Sequence, residues 1–419
     1  VSTASRTRRC ARKRRSISGK FRKDSVISDS DSEVNMNQTV ASANRMHIIV
    51  LGACNSGKSS LVNMLTGQQT SLVSDIPGTT TDPVFKPMEL PGIGACVLID
   101  TAGFNDVSEL GDRRIASTRQ VLDRADIAIL LTGHDTVCET EWRQELDRRK
   151  IPVVEVVSKA DLRGMVPEGT VVTSINRPTE SRDCVIEALL RAMPSDSGDV
   201  SLLRGLVDAG DIALLVMPQD SQAPVGRLIL PQVQTIRELL DRGCVPVCCT
   251  PATMPRALEG LSSAPALVIT DSQVFKEVYA MTPPGSRLTS FSILMAAYKG
   301  DIDYFVESAS ALDALGDGNR VLIAESCTHA PKNEDIGRVK IPAMLRRKSG
   351  EGLKIDFVRG KDFPDDLTPY SLVIHCGGCM FNRRHILSRV ARAREQRVPM
   401  TNYGILLARL SGILDKVVY

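Results

Sequence analysis

Short apolar runs alternate with helix-like stretches along the chain from Met46 onward. Buried strands are predicted for the runs HIIVLGAC, ACVLID, ADIAILLT and PVVEVVS, and the helical pattern SSLVNMLTG follows the first of them. Alternation of this kind predicts a mostly parallel sheet that is covered by helices on both faces. The alternation ends with a predicted helix over residues 181–193, and a linker-like segment follows at 194–198. We therefore predict a first domain over residues 46–195.

Two further α/β regions follow this domain. The middle region contains the apolar runs ALLVMP, VPVCCT and ALVIT together with the Pro-bounded helical pattern PQVQTIRELLDRG, and we predict a domain over residues 200–312. From Asn319 the run RVLIAESC begins a third region, in which YSLVIHC is a second strand, and we predict a domain over residues 319–419. The predicted fold class is therefore α/β in all three domains.

The first 45 residues have a different composition. Residues 1–23 contain ten Lys or Arg side chains and no Asp or Glu, and a Ser-rich acidic stretch follows without hydrophobic periodicity. We predict a disordered tail over residues 1–45. An organellar targeting segment is the alternative, since such segments are rich in Arg and Ser and poor in acidic residues.

The charge and the aromatic content of the rest of the chain limit which kinds of partner the protein can bind. Outside residues 1–23 the chain has 42 Lys and Arg against 49 Asp and Glu side chains, and aromatic residues make up 4% of the chain. A mildly acidic body with few aromatic side chains argues against nucleic acid as a partner. No apolar run reaches the roughly 18–20 residues that cross a bilayer, so we expect no membrane span. Eleven cysteines without a signal peptide indicate a reducing compartment, and we expect a cytoplasmic protein.

A phosphate-binding loop is predicted between the first strand and its helix. The stretch GACNSGKS at residues 52–59 fits the pattern G-x-x-x-x-G-K-[ST]. Glycines let the backbone approach a phosphate closely, and the N–H groups of the loop and of the helix N-terminus point at the anion. Lys58 supplies a positive charge to the outer phosphates, and the hydroxyl of Ser59 can bind Mg²⁺. The predicted nucleotide-binding residues of this loop are Gly52, Asn55, Ser56, Gly57, Lys58, Ser59 and Ser60.

Three further segments predict that the nucleotide is GTP. Asp100 and Gly103 form a D-x-x-G element after an apolar strand, where a γ-phosphate is sensed, and Thr80 lies in a Gly-Thr-Thr-Thr-Asp segment that can present a Mg²⁺ ligand. Ser158, Lys159 and Asp161 resemble the guanine-reading pattern [NT]-K-x-D, with Ser in place of the usual Asn or Thr. The Asp161 carboxylate can accept two hydrogen bonds that guanine offers and adenine lacks.

The order of these elements resembles the translation-factor-related GTPases. Phe104 follows Gly103 where many GTPases have Gln, so a side chain at this position cannot orient the attacking water. Asn55 and the Gly-Thr-Thr switch segment resemble the potassium-activated, TrmE/Era-like GTPases, in which a bound K⁺ supplies the charge of an arginine finger. Slow intrinsic hydrolysis is expected. We predict catalytic roles for Lys58, Thr80, Gly103 and Asp112.

A second candidate site combines cysteines with histidines in the third domain. Cys327 and His329 follow one apolar strand, and His375, Cys376 and Cys379 end another, so both groups lie at the edge of an open sheet where ligands collect. From the spacing alone, a structural Zn²⁺, a redox Cys-x-x-Cys and an iron–sulfur cluster all remain open. The other cysteines are scattered along the chain. Five of them lie in or beside apolar runs and are predicted to be small buried residues: Cys54, Cys96, Cys244, Cys248 and Cys249.

The whole arrangement resembles the [FeFe]-hydrogenase maturation GTPases. A potassium-type GTPase domain, a middle α/β domain with the stretch APVGRLILPQ at residues 223–232, and the pattern C-x-H…H-C-x-x-C carry this resemblance over residues 46–419. The resemblance implies that Cys327, Cys376 and Cys379 bind a [4Fe–4S] cluster and that His329 or His375 is a replaceable fourth ligand. It also implies dimerisation by the middle domain, and a scaffold that receives a diiron precursor from radical-SAM partners and delivers it to apo-[FeFe]-hydrogenase.

Two other functions are consistent with parts of the sequence. A tRNA-modifying GTPase of the potassium-activated kind is one, although only about 45 residues precede the GTPase domain in this sequence and its body is acidic. A regulatory GTPase with a structural zinc site is the other. The identity of the metal separates the zinc protein from the cluster protein, and co-purifying RNA would support the tRNA enzyme.

Overall fold

Three sheets follow one another along the chain. The computed structural model describes residues 45–67, 83–104, 111–162, 169–193, 201–219, 228–326, 336–360 and 362–419, and these residues all belong to one compact unit, Thr39–Tyr419. Apart from Arg45, the predicted tail lies outside the described residues, and so does the predicted linker at 194–198.

The first sheet has six strands in the order β2-β3-β1-β4-β5-β6. Its strands are β1 (Met46–Leu51), β2 (Val84–Leu90), β3 (Gly94–Asp100), β4 (Ile127–Thr132), β5 (Val153–Val157) and β6 (Val171–Val172). All neighbours pair in parallel except β2, which runs antiparallel to β3 at the edge. The central strands β1 and β4 are buried along almost their whole length, because they consist of apolar residues on both faces.

Helices cover both faces of this sheet. They are α1 (Lys58–Thr66), α2 (Gly111–Leu122), α3 (Thr136–Arg148) and α4 (Pro178–Ala192). Leu65 of α1 and Leu189 of α4 belong to the core on one face, whereas Leu122 of α2 and Trp142 of α3 belong to the core on the other. The predicted sandwich of helices around a mostly parallel sheet is confirmed.

The middle sheet has four parallel strands in the order β10-β9-β7-β8. They are β7 (Ile212–Val216), β8 (Val245–Cys249), β9 (Leu267–Thr270) and β10 (Arg287–Ser290). The helices of this region are α5 (Leu230–Asp241), α6 (Met254–Glu259), α7 (Phe275–Met281) and α8 (Phe291–Lys299). The helix α8 is buried on nearly every side, and its first turn is capped by the Ser290 hydroxyl, which accepts the N–H of Ile293.

The third sheet also has four parallel strands, in the order β12-β11-β13-β14. They are β11 (Arg320–Glu325), β12 (Lys354–Arg359), β13 (Leu372–His375) and β14 (Met400–Asn402). Its helices are α9 (Ile302–Ser308), α10 (Ile341–Ser349), α11 (Arg383–Glu395) and α12 (Tyr403–Leu410). The Thr401 hydroxyl of β14 donates to the Phe305 carbonyl of α9 at 2.9 Å, so α9 packs against this sheet.

The third domain packs against both of the others. One hydrophobic core joins Leu214 and Phe275 of the middle domain to Val373 and Met400 of the third. On the other side Asn382, the N-cap of α11, donates to the Arg124 carbonyl at 2.8 Å in the first domain. The fold class predicted from the sequence, three successive α/β units beginning with a phosphate-loop domain, is confirmed.

Candidate nucleotide and cysteine sites

The phosphate loop has the backbone that its composition predicts. Gly57 has φ of 95° and Asn55 has φ of 59°, so the chain turns through left-handed conformations before α1 begins. The Lys58 side chain is 7% exposed, and its ammonium donates to the carbonyls of Gly52 at 3.1 Å and Ala53 at 2.8 Å. Burial lowers the pKa of Lys58 to about 8, against smaller opposite contributions from Cys54 and Asp100. The loop therefore holds a buried cation at the centre of its curve.

A hydroxyl and a carboxylate lie together beside this loop. Parallel pairing of β1 with β3 sets Val50 opposite Asp100. The Ser59 hydroxyl donates to Oδ2 of Asp100 at 3.0 Å, which makes the two a ready pair of oxygen donors for Mg²⁺. The Thr101 hydroxyl donates to the Val50 carbonyl at 2.7 Å and fixes the start of the D-x-x-G turn.

Gly103 approaches the phosphate loop so closely that only glycine fits. A Cβ at this position would lie 2.6 Å from the backbone nitrogen of Cys54. The N–H of Phe104 donates to the Gly52 carbonyl at 3.3 Å, and the Phe104 ring is buried and stacked on Trp142 at 6.0 Å. The ring therefore points into the core, where it cannot orient a water molecule at the nucleotide.

The substituted guanine loop is tied to the phosphate loop by its serine. The Ser158 hydroxyl donates to the Ser56 carbonyl, and it accepts from Nε2 of His134 at 2.8 Å. The N–H of Ala160 donates to the Thr173 carbonyl, which joins the loop to the end of β6. Sequence reasoning missed His134, because it lies 24 residues before Ser158 and has no motif of its own.

The structure describes some, but not all, of the remaining residues that were predicted to bind the nucleotide. Within the described part of the chain Asn55 makes no side-chain hydrogen bond, so it does not cap its own loop, and its side chain is exposed. Lys159, with φ of 56°, and Asp161 are exposed beside the phosphate loop, and Asp112 is exposed in the first turn of α2. Thr80 lies outside the described residues, and so does the rest of its switch segment.

The cysteine site lies where two neighbouring parallel strands end. Strands β11 and β13 pair so that Ala324 is opposite His375. The Ser326 N–H donates to the sulfur of Cys376 at 3.1 Å, and the Ser326 hydroxyl lies 3.1 Å from the same sulfur. Burial raises the pKa of the Cys376 thiol, whereas hydrogen bonds from Ser326 and from the N–H of Gly378 act in the opposite direction.

The third cysteine of the predicted set is the next residue after Ser326. Cys327 and His329 lie outside the described residues, among which no group of three or more Cys, His, Asp or Glu side chains is arranged for a metal. The described half of the site nevertheless fits thiolate ligands of an anionic cluster, because backbone N–H groups converge on a cysteine sulfur.

His375, a predicted metal ligand, has both ring nitrogens in contact with neighbouring protein groups. Its side chain is 1% exposed, and Nε2 lies 2.9 Å from a guanidinium nitrogen of Arg389, which can only donate. The ring therefore carries its proton on Nδ1, which donates to the Cys376 carbonyl at 2.7 Å. Burial lowers the pKa of His375 to about 3, and the Arg389 charge contributes in the same direction. Both ring nitrogens are engaged, so no lone pair remains for a metal in this arrangement.

Two buried cations surround the Cys376–Cys379 loop, and sequence reasoning missed both. Arg389 is 3% exposed and lies 4.8 Å from the Phe381 ring centre. Lys299 is 1% exposed, and its ammonium donates to three carbonyls of the loop. Burial lowers the pKa of Lys299 to about 8, and Cys379 and Cys376 contribute in the opposite direction. Neither cation forms an ion pair with a carboxylate in the described part of the chain.

Comparison with known proteins agrees with these geometries. The family model described as 50S ribosome-binding GTPase matches residues 47–159, so the chain contains a P-loop GTPase domain followed by two further α/β domains. The hydrogen maturase F dimerization domain matches residues 202–300, and the hydrogen maturase F tetramerization domain matches residues 303–419. The two hydrogen maturase F models together cover about half of the chain, so the chain belongs to the hydrogen maturase F family.

Curated relatives share only part of the chain. The tRNA modification GTPase MnmE of Nitrosomonas europaea is 38% identical over 123 residues, which is 29% of this chain and 27% of the relative. MnmE of Hamiltonella defensa is 32% identical over 189 residues, covering 41% of this chain and 40% of the relative. These similarities agree with a TrmE/Era-like GTPase domain, but the chain spans less than half the length of either relative.

Two solved structures match part of the chain at lower sequence identity. NFeoB of S. thermophilus, in a structure with GDP, aluminium fluoride and K⁺, is 21% identical, with a TM-score of 0.29 and coverage of 37% of this chain and 65% of that chain. Toc33 of Arabidopsis thaliana is 19% identical, with a TM-score of 0.24 and coverage of 40% of this chain and 69% of that chain. Both TM-scores are below 0.5, so we draw no inference from them. Among the described residues, no helix has the length and apolar character of a membrane span.

Proposed function

We propose that this protein hydrolyses GTP and carries a [4Fe–4S] cluster on Cys327, Cys376 and Cys379 as a scaffold in the maturation of [FeFe]-hydrogenase. The observation that carries this proposal is the contact between Ser326 and the sulfur of Cys376. Ser326, which precedes Cys327 in the sequence, contacts the loop that bears the other two cysteines. Under this proposal Cys327 joins Cys376 and Cys379 at the cluster, although it lies about fifty residues before them in sequence.

A cluster held by three cysteines has one iron without a protein thiolate, and this iron can bind a second metal fragment. Under this proposal the fragment is a diiron precursor received from radical-SAM enzymes and passed on to apo-[FeFe]-hydrogenase. The protein supplies the thiolates, the N–H groups that stabilise them and a partly dry environment. With both ring nitrogens of His375 engaged, His329 is the remaining histidine candidate for an exchangeable ligand at the fourth iron.

The GTPase domain acts in this proposal as a switch. Lys58 binds the outer phosphates, and Ser59 and Thr80 bind Mg²⁺. The backbone at Gly103 senses the γ-phosphate. Hydrolysis removes the γ-phosphate and therefore releases the loops that contact it. The exposed Asn55 side chain is free of other described contacts and supports a K⁺ site. Since Phe104 is buried, we expect hydrolysis to be slow in Na⁺ and faster in K⁺. An Asn55→Ala variant that kept the full K⁺ response would contradict this site.

The test of the cluster is metal analysis of protein purified and reconstituted without oxygen. We expect about four iron and four sulfide per chain, an EPR signal after reduction, and loss of both in Cys376→Ala. Cys248→Ala is the matched control, because Cys248 is an exposed cysteine in the middle domain. Stoichiometric zinc that iron and sulfide do not displace would overturn the scaffold proposal and leave a GTPase with a structural metal.

A further inference from the structure

Lys299 belongs to the middle domain, but its side chain ends in the cysteine loop of the third domain. It is the last residue of α8, and its ammonium donates to the carbonyls of Phe381 at 2.7 Å, Gly378 at 3.2 Å and Cys379 at 3.3 Å. Three acceptors match the three N–H donors of an ammonium group. The contacts span about eighty residues of sequence, so the loop is held by a helix that no local motif connects to it.

The rest of α8 makes this contact rigid. Six residues of the helix besides Lys299 are buried, and α8 packs on α11 and α12 of the third domain. The carbonyl of Tyr298, the residue before Lys299, accepts from the Arg383 side chain at 3.2 Å. The ammonium is therefore held at the loop by the packed end of α8 and does not extend into solvent.

The charge of Lys299 lacks a partner of opposite sign among the described carboxylates. Burying an ammonium group without a counter-charge is costly, even when its N–H groups are hydrogen-bonded. The groups whose negative charge acts on the pKa of Lys299 are the thiols of Cys379 and Cys376, on the loop that Lys299 holds. A buried cation at this place fits a loop whose sulfurs are thiolates bound to an anionic cluster.

We propose that Lys299 is a positioning residue of the cluster site, which holds the Cys376–Cys379 loop in shape and makes the bound cluster easier to reduce. The inference rests on the proposed cluster and adds that the dimerization domain contributes to the site. A fixed positive charge favours the reduced form, because reduction adds a negative charge in a medium of low dielectric constant.

The experiment compares four variants of the full chain, each reconstituted without oxygen. Lys299→Met keeps the length and apolar stem of the side chain but removes its charge and its hydrogen bonds. Lys299→Gln restores hydrogen bonding without charge, and Lys299→Arg restores the charge. Lys276→Met is the matched control, since Lys276 is an exposed lysine of the same domain. Iron and sulfide content report on the loop, and a dithionite titration followed by EPR reports the midpoint potential.

At the midpoint of the wild-type protein we expect the ratio of reduced to oxidised cluster to fall about tenfold in Lys299→Met, which is about 59 mV for one electron. Lys299→Gln should show a similar fall, Lys299→Arg should recover most of the ratio, and Lys276→Met should not change it. Cluster content should rise from Met to Gln to wild type. A Lys299→Met cluster with the wild-type content and a ratio within twofold of wild type would overturn the inference.

Two outcomes separate this inference from the proposed function. If Lys299→Met does not fold or binds no iron, the role of the charge is tested by comparing Lys299→Gln with Lys299→Arg. Equal midpoint potentials of the cluster in these two variants would contradict a role for the charge. If the wild-type protein accepts only zinc, the scaffold proposal fails. The positioning role is then decided by competition with a chelator, in which Lys299→Met should bind zinc about tenfold more weakly. Equal zinc affinity would overturn the positioning role as well.

Discussion

At the scale of single residues, His375 remains a predicted metal ligand, but its contacts in the structure favour a supporting role. The ring stands next to Cys376 in sequence, but it turns into the core and joins the Cys376 carbonyl to the Arg389 guanidinium. We therefore expect His375 to stabilise the cysteine loop through these hydrogen bonds and not to bind iron.

The first prediction concerns His375→Ala. Removal of the ring leaves a buried donor of Arg389 without its acceptor, which should cost about 2 kcal/mol or more of unfolding free energy. Iron content and the EPR signal of reconstituted protein should stay close to wild type, while chemical denaturation shows the loss of stability. A changed EPR signal together with unchanged stability would instead identify His375 as a ligand.

Ser158 shows that a departure from a motif can be compensated within the fold. Its hydroxyl joins the guanine loop to the phosphate loop at Ser56, and His134 holds it from the other side.

The second prediction is that Ser158→Ala weakens GDP binding by about two- to tenfold, from the net worth of about 0.5–1.5 kcal/mol for a hydrogen bond. Titration with a fluorescent GDP analogue measures this effect. Ser310→Ala, which removes an exposed helical hydroxyl in another domain, is the control and should bind GDP as wild type does. Unchanged affinity in Ser158→Ala would show that the two loops do not depend on this tie.

At the scale of elements, the sequence predicted the central strands and one edge strand, β8, and missed the other edge strands. The central strands β1, β4 and β13 are continuous apolar runs, and these are visible without any knowledge of the fold. By contrast β2, with sequence VFKPMEL, and β12, with sequence KIDFVR, are half-exposed edge strands whose polar residues break the apolar run. Strand β14 is only three residues long. Whether a half-exposed stretch becomes an edge strand depends on its pairing with a neighbouring strand. The local sequence does not specify that pairing.

The same limit applies to the candidate sites. The phosphate loop could be predicted because its function resides in eight consecutive residues. Lys299, Arg389 and His134 could not, since each of them meets its site through contacts between elements far apart in sequence.

The element α11 joins two domains through its N-terminal residue. Asn382 donates to Oδ2 of Asp126 at 3.2 Å, and the N–H of His47 donates to the same oxygen at 2.7 Å. Burial raises the pKa of Asp126 to about 6, although these two hydrogen bonds act in the opposite direction. The carboxyl group therefore takes up its proton in the folded protein at a higher pH than in the unfolded chain.

The third prediction follows from this shift. The wild-type protein should gain stability relative to Asp126→Asn as the pH falls from about 7 to about 4, because the folded state binds the proton more tightly than the unfolded state. The gain should be at most about 3 kcal/mol, since one pKa unit corresponds to about 1.4 kcal/mol. Urea denaturation of both proteins at several pH values measures it. A constant difference between the two proteins across this range would contradict the raised pKa.

At the scale of the whole molecule, one face of the middle domain is suited to self-association. Strand β8 is the edge of its sheet, and Val245 at its start is 50% exposed. Val233 and Leu240 of the adjoining α5 are 47% and 51% exposed. An unpaired edge beside exposed apolar side chains is a surface that a second strand can cover.

The fourth prediction is that Val245→Lys weakens dimer formation at least about tenfold, by placing a charge on this edge. Analytical ultracentrifugation over a range of protein concentrations measures the dissociation constant. Val137→Lys, at a 70% exposed position of the GTPase domain, is the control and should associate as wild type does. If Val137→Lys weakened association and Val245→Lys did not, the association surface would lie on the first domain.

The contact at Asn382 lies at the opposite end of β1 from the phosphate loop. His47 lies at the beginning of β1, whereas the phosphate loop begins at its end, so about 17 Å of extended strand separates the two. If GTP hydrolysis acts on the cysteine loop as proposed, a displacement of β1 that is passed to Asn382, at the start of α11, is a path that the described residues offer.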